Sequence, residues 1–178
     1  MRIVLGYPVE DRHVRQVAAV APDAEIVAAS QQEIPEAVLE ADVFCGHAKE
    51  RPVAWDQVVA RGRLQWIQSS AAGLDHCLVP SVVDSHITVT SASGVLAKQV
   101  ADQTFALLLG ILRNLPTYFR AKEAKEFIRC PTRDLYGARV GIVGLGGNGR
   151  LLARLFKAFE CSVIATDWFP EQKSPFVD

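Results

Sequence analysis

The stretch from Arg139 to Asp167 reads RVGIVGLGGNGRLLARLFKAFECSVIATD and decides the fold of the second half of this 178-residue chain. It opens with a short apolar run, Val140–Val143, of the kind that forms a buried strand. A glycine-rich turn, an amphipathic helical pattern and a second apolar run, Ser162–Thr166, follow in turn. Strand, glycine turn, helix, strand and closing acid together predict a βαβ unit that binds a dinucleotide.

The glycine turn has the G-x-G-x-x-G spacing, and each of its glycines has a physical role. Gly144 permits the tight turn, Gly146 leaves room for a pyrophosphate, and Gly149 lets the helix pack closely on the strand. The helix N-terminus offers unpaired N–H groups to the phosphates. Asp167 stands where an acid accepts hydrogen bonds from ribose hydroxyls. The alternative interpretation is a glycine-rich αβ turn without a ligand.

The composition is that of a globular protein, with 49% hydrophobic and 22% charged residues. A net charge of −1 favours neither nucleic acid nor an anionic membrane. No apolar run approaches the length of a spanning helix, and the apolar start is too short for a signal peptide. The four cysteines form no C-x-x-C pair, so we expect reduced thiols, a cytoplasmic protein and no metal site.

The first half of the chain alternates predicted strands with predicted helices, which is typical of a parallel α/β unit. The predicted strands are Arg2–Gly6, Glu25–Ala29, Asp42–Cys45, Leu64–Gln68 and Ile87–Thr90. The predicted helices are Asp11–Val20, one starting at Ser30 with a Ser30/Glu33 capping box, Val53–Ala60 and a short one at Asp75. We expect a flavodoxin-like sheet with strand order 2-1-3-4-5.

A long and strongly apolar helix is predicted at Val95–Leu112. It is apolar on nearly all sides, so we expect it to be buried between domains or subunits. Pro116 should break or kink it, and a more polar segment, Thr117–Phe127, follows. We therefore place the domain boundary near residue 100. Residues 1–99 then form one domain, and residues 100–178 form a linker helix and the start of a Rossmann domain.

Four stretches together resemble the D-isomer-specific 2-hydroxyacid dehydrogenases, the relatives of phosphoglycerate and glycerate dehydrogenases. They are WIQSSAAGLDH (Trp66–His76), VTSASGVLAKQVADQTFALLLGILRN (Val89–Asn114), RDLYGARVGIVGLGGNGR (Arg133–Arg150) and the run to Asp167. Their order and spacing are specific, although none would suffice alone. In that family the first domain binds substrate and the second binds NAD.

The resemblance implies site residues in both halves of the chain. The substrate carboxylate is expected at the backbone of the loop Ala71, Ala72 and Gly73, although an ordinary tight loop is the alternative. The cofactor-binding residues implied are Gly144, Leu145, Gly146, Gly147, Asn148, Gly149 and Asp167. Asp75 is interpreted as a helix cap rather than a catalyst. Asn148 departs from the usual branched apolar residue, which places a polar group against the helix packing.

The family's catalytic Arg, Glu and His lie beyond the cofactor motif, and nothing in this chain matches them. We therefore assign no catalytic residue here and expect a truncated, inactive chain. His13, His47, His76 and His86 precede the cofactor motif without matching context. His76 beside Asp75 looks like an acid–base pair, but adjacent side chains on a helix point apart. His47 is interpreted as a loop residue.

An incomplete cofactor domain should also leave apolar surface of its sheet open, since a parallel sheet needs cover on both faces. The apolar side chains expected to be exposed in this way are Val140, Ile142, Val163 and Ile164.

The resemblance implies an NAD-dependent oxidoreductase that moves hydride between the nicotinamide and the CH–OH carbon of a small 2-hydroxy acid. The alternatives are an inactive truncated fragment and an NAD-sensing regulatory protein of the corepressor type. Asp167 should favour NAD, because its carboxylate would repel the 2′-phosphate of NADP. We also expect a homodimer packed through Val95–Leu112. The sequence does not specify which 2-hydroxy acid is the substrate.

Overall fold

The computed structural model describes residues 1–169, 171 and 174–178. It forms two compact units, Met1–Ser93 and Gly94–Asp178. The boundary between them falls a few residues before the one proposed from the sequence, and the predicted long helix lies wholly in the second unit.

The first unit is built on a five-stranded parallel sheet with the order β2-β1-β3-β4-β5. Its strands are β1 (Arg2–Gly6), β2 (Glu25–Ala28), β3 (Val43–Gly46), β4 (Trp66–Ser69) and β5 (Thr88–Thr90). Its helices are α1 (Asp11–Val20), α2 (Ile34–Val38), α3 (Trp55–Arg61) and α4 (Pro80–Val83). The α/β class and the flavodoxin-like strand order predicted from the sequence are confirmed.

The core of the first unit forms where the central strands meet short helices. Val4, Phe44 and Ile67 are fully buried on three neighbouring strands. Ile34 of α2 and Val58 of α3 pack in the same cluster. A parallel sheet buries such apolar runs because crossover helices cover its faces. This packing stabilises the sheet, and the loops that follow the strands lie at the carboxyl ends of the strands.

Two predicted helices of this unit are wrong. The helix expected from Ser30 begins only at Ile34, which places Pro35 in its first turn, where proline is tolerated. The Glu33 carboxylate accepts hydrogen bonds from the N–H and the hydroxyl of Ser30, at 2.9 and 2.6 Å, so one half of the predicted capping box is present. Asp75 lies in a turn, and the next helix begins at Pro80. The interpretation of Asp75 as a helix cap is therefore wrong.

The second unit pairs two parallel strands over one helix. Its elements are α5 (Ala97–Leu112), α6 (Leu115–Glu123), β6 (Arg139–Val143), α7 (Gly147–Ala158) and β7 (Ser162–Thr166). The predicted break near Pro116 is confirmed: α5 ends, Asn114 adopts a left-handed backbone with φ of 54°, and Pro116 lies in the first turn of α6.

Helix α5 divides its apolar side chains between the core and the surface. Four of them pack in the hydrophobic core of the second unit, namely Phe105, Leu108, Leu109 and Leu112. The side chains of Leu107 and Ile111 are 59% and 70% exposed. The helix therefore has one stripe in the core of its own unit and a second apolar stripe on the surface.

The expectation that four strand residues would be exposed was wrong for two of them. Ile142 and Val163 are buried in a cluster with Ala153 and Phe156 of α7, because α7 covers the face of the sheet to which they point. Val140 is partly buried at the same cluster. Ile164 points to the other face and is 51% exposed, as expected.

Candidate cofactor and substrate sites

The glycine turn between β6 and α7 has the backbone geometry that the sequence motif predicts. Gly144 has a φ of 92°, a conformation that L side chains rarely adopt, and its N–H donates to the carbonyl of Thr166 at 2.8 Å. Helix α7 then begins at Gly147, with Gly146 as its extended N-cap. The Arg150 N–H donates back to the carbonyl of Gly146 at 2.9 Å, which leaves the N–H groups before it free of intrahelical partners.

Gly149 is the tightest position of the turn. A Cβ added there would lie 2.1 Å from the carbonyl oxygen of Gly144 and 3.3 Å from a methyl group of Ile142. A Cβ on Gly146 would meet nothing within 4 Å. Gly149 therefore serves the close packing of helix on strand, whereas the space beside Gly146 is open to a bound group.

Asp167, at the end of β7, is bound to the turn. Its carboxylate accepts hydrogen bonds from the N–H of Leu145, through Oδ2, and from the N–H of Phe169 at 2.9 Å, through Oδ1. These backbone hydrogen bonds, from Phe169 first and Leu145 second, hold the pKa of Asp167 below its usual value. Each carboxylate oxygen keeps a lone pair with which it can accept a hydroxyl.

The two remaining turn residues differ in burial. Leu145 is only 7% exposed, and its side chain lines a cavity beside Asp167. Asn148 is exposed at the second position of α7. The prediction that Asn148 would place a polar group against the helix packing is therefore wrong. Its amide lies at the surface, where it needs no partner from the core.

A cavity of about 450 Å³ lies beside Asp167. Its apolar walls include Leu145, Ile164 and Phe169, and two acids, Asp167 and Asp178, also line it. Pockets that hold drug-sized ligands have volumes of about 300–1,000 Å³ and few polar groups. A second cavity, of about 680 Å³, runs along β6 and α5. It does not include the glycine turn, so its larger size does not make it the cofactor site.

The predicted substrate loop follows β4 in the first unit. The Ala71 N–H donates to the Ser69 hydroxyl at 3.1 Å, and the Ala71 carbonyl accepts the N–H of Ala92 at 3.0 Å. Ala72 and Gly73 are exposed, and neither of their N–H groups has an acceptor in the described part of the chain. The three residues therefore have different tasks: Ala71 fastens the loop, and the next two keep N–H groups available.

A polar cluster that the sequence did not predict stands beside this loop. The buried hydroxyl of Ser69 lies 3.3 Å from Nε2 of His76. The His76 ring stacks on the His47 ring, with centroids 3.9 Å apart. Burial, followed by the charge on His47, lowers the pKa of His76. His47 follows β3 directly, and Gly46 pairs with Ser69, so strand register was the signal that could have placed the two histidines together.

Within the described residues, no three His, Cys, Asp or Glu side chains are grouped so as to hold a metal ion. No helix in that part of the chain is long and apolar enough to cross a membrane.

The glycine turn and the βαβ unit around it have the geometry of a dinucleotide-binding motif. Residues 105–177 match the family model of the D-isomer specific 2-hydroxyacid dehydrogenase, NAD binding domain. The resemblance to this family and the choice of NAD as cofactor, both predicted from the sequence, are thereby confirmed.

Comparisons with individual proteins agree. The chain is 24% identical over 169 residues to D-3-phosphoglycerate dehydrogenase of Methanocaldococcus jannaschii, covering 94% of this chain and 32% of that protein. It is 33% identical over 103 residues to glyoxylate/hydroxypyruvate reductase A of Arabidopsis thaliana, covering 56% of this chain and 33% of that one. The chain therefore spans about a third of these relatives.

Among solved structures, the fold is similar to that of a D-isomer specific 2-hydroxyacid dehydrogenase family protein from Aeromonas salmonicida. The TM-score is 0.78 at 23% identity, over 99% of this chain and 56% of that one.

Proposed function

We propose that this chain carries the NAD-binding turn and the carboxylate-binding loop of a D-2-hydroxyacid dehydrogenase. The observation that carries the proposal is the glycine turn: Gly149 excludes any side chain at 2.1 Å from the Gly144 carbonyl, and α7 begins at once with open space beside Gly146. A glycine-rich αβ turn without a ligand would need the close packing at Gly149 but not the open space beside Gly146.

The proposed cofactor contacts follow from this geometry. The N–H groups of Gly147, Asn148 and Gly149 open helix α7, where the helix dipole favours a pyrophosphate. Asp167 accepts the hydroxyls of the adenosine ribose, and the apolar cavity beside it takes the adenine. Leu145 forms one wall of the same cavity.

The proposed reaction is hydride transfer at the CH–OH carbon of a small 2-hydroxy acid. A nicotinamide supplies the hydride chemistry, and the protein binds and orients the reactants. The N–H groups of Ala72 and Gly73 are the part of this chain that would hold the substrate carboxylate. No residue of the chain matches the family's Arg, Glu and His, so we assign no proton transfer to it.

Association through α5 is the second part of the proposal. Leu107 and Ile111 form a surface stripe on this helix, and exposed apolar patches mark interaction sites. Leu108 of the same helix packs in the core of its own unit and is not part of this stripe. We propose a homodimer in which the stripe of Leu107 and Ile111 is covered.

A cofactor titration of the 178-residue chain tests the proposal. NAD should bind more tightly than NADP by at least about fivefold, because two like charges a few ångströms apart repel by about 1 kcal/mol even in water. Asp167→Ala should remove this preference, whereas Asp84→Ala, at the end of α4, should not change it. Tighter binding of NADP, or an unchanged preference in Asp167→Ala, would contradict the assignment.

A turnover assay on the same chain tests the assignment of roles. We expect no oxidation of NADH with glyoxylate, hydroxypyruvate or pyruvate, since general acid–base catalysis alone contributes about 100- to 10,000-fold. Turnover near one per second, on the order of an ordinary enzyme, would show that the catalytic residues lie within these 178 residues. In that case His76 and His47 would be the first to replace.

A further inference from the structure

The polar cluster of Ser69 and His76 contains one buried atom without a partner. Within the described residues, Nδ1 of His76 is buried and has no hydrogen-bond partner. Nε2 of the same ring faces the Ser69 hydroxyl at 3.3 Å. A neutral imidazole carries its proton on one nitrogen, so the two nitrogens cannot both be donors.

The Ser69 hydroxyl decides which nitrogen carries the proton. Ser69 is fully buried, accepts the Ala71 N–H at 3.1 Å and lies 3.2 Å from the Ala71 carbonyl, to which it can donate. A hydroxyl has one donor and two acceptor positions. When the hydroxyl donates its proton to the Ala71 carbonyl, its oxygen can only accept from Nε2 of His76. Nε2 must then carry the proton and donate it to the Ser69 oxygen.

The other tautomer leaves two groups poorly satisfied. A proton on Nδ1 would be a buried N–H without an acceptor, and orphaned buried N–H groups are rarer than unpaired acceptors. The Ser69 hydroxyl would then have to turn from the Ala71 carbonyl toward Nε2. Stacking on His47 holds the ring in place, and the lowered pKa of His76 keeps it neutral at pH 7.

We infer that His76 is a positioning residue: its Nε2–H holds the Ser69 hydroxyl, which fastens Ala71 and so presents the N–H groups of Ala72 and Gly73 to a carboxylate. The part of the inference that concerns carboxylate binding rests on the proposed function. The part that concerns the hydrogen bonds holding the loop rests on geometry alone. The inference assigns His76 a role that involves no proton transfer, which is consistent with the absence of a catalytic match.

Nitrogen-15 NMR of the imidazole tests the tautomer directly in the 178-residue chain. Histidine ring spectra at pH 7 should show His76 protonated at Nε2 and unprotonated at Nδ1. The exposed ring of His86 serves as an internal reference in the same spectrum. A His76 ring protonated at Nδ1 would overturn the inference, whatever the chain binds.

A matched pair of variants tests the positioning role. His76→Gln places an amide N–H near the position of Nε2, whereas His76→Asn reaches only to the position of Nδ1. Hydrogen exchange at the Ala71 amide should stay close to wild type in His76→Gln and become faster by about tenfold in His76→Asn, the usual order for one lost hydrogen bond. Equal exchange in the two variants would overturn the inference.

Oxamate, a stable small carboxylate, tests the link to binding. Wild type and His76→Gln should bind it alike, and His76→Asn should bind about tenfold more weakly. If His76→Asn proves unfolded, Ser69→Ala replaces it, since only the hydroxyl is removed. Failure of wild type to bind oxamate would overturn the proposed substrate loop, and with it the carboxylate half of the inference. The NMR and exchange results would still decide whether His76 fastens the loop.

Discussion

Replacing Gly149 with alanine should destabilise the second unit, and the structure allows the size of the effect to be worked out. The new Cβ would lie 2.1 Å from the Gly144 carbonyl oxygen, where a normal contact is about 3.5 Å. The obstacle is backbone, so it cannot rotate away as a side chain would. Overpacking of this kind costs about 1–3 kcal/mol, and we take the upper end. Alanine's better helix propensity offsets about 1 kcal/mol, which leaves a net loss of about 2 kcal/mol.

The matched control is Gly110→Ala, in the interior of α5. A Cβ there would meet nothing within 4 Å, so the same substitution should stabilise the chain by up to about 1 kcal/mol. The assay is amide hydrogen exchange at Ile142 and Val163, which lie buried beneath α7 and report the opening of the second unit. Gly149→Ala should speed this exchange by about 30-fold. Exchange rates in Gly149→Ala that match wild type would refute the packing role.

Three further predictions concern packing, charge and association. Phe156→Ala should destabilise the second unit by about 3–5 kcal/mol, whereas Phe127→Ala, at an 87% exposed position, should change its stability little in a urea titration. The lowered pKa of Asp167 means that its stabilising contribution is present above the unfolded pKa of about 3.9 and is lost as pH falls through the folded value. The difference in melting temperature between wild type and Asp167→Asn should therefore shrink as pH falls below about 4, and a constant difference down to pH 2 would contradict this. Leu107→Glu should reduce association in sedimentation experiments while Lys122→Glu does not, and a wild-type monomer at micromolar concentration would refute the dimer.

Local patterns in the sequence were enough to predict much of the fold. β1, α1 and β7 have the predicted bounds, because apolar periodicity and short connections leave few alternatives. The start of α2 was placed too early because the position of a proline was not weighed. Pro35 fits only the first turn of a helix, so α2 begins at Ile34 although Glu33 makes a capping-box contact with the N–H of Ser30.

The candidate site was only partly predictable for a related reason. The glycine turn is a local motif, and its residues are close in space because they are close in sequence. The contacts among Ser69, His76 and His47 join the ends of two strands and a turn, so they depend on the register that pairs β3 with β4. The burial of Ile142 beneath α7 was missed because it depends on which face of the strand the helix covers.

The pairing of β6 with β7 over a single helix also has a consequence for the order of folding. Arg139 pairs with Ser162, and one crossover segment alone separates them. In the first unit, β1 pairs with β3, so Ile3 must find Val43 across the intervening β2 and two helices. Contacts between residues near in sequence form faster, because less chain entropy is lost when the loop closes. The dinucleotide-type turn should therefore be structured early in refolding, while the sheet that supports the carboxylate loop is still assembling.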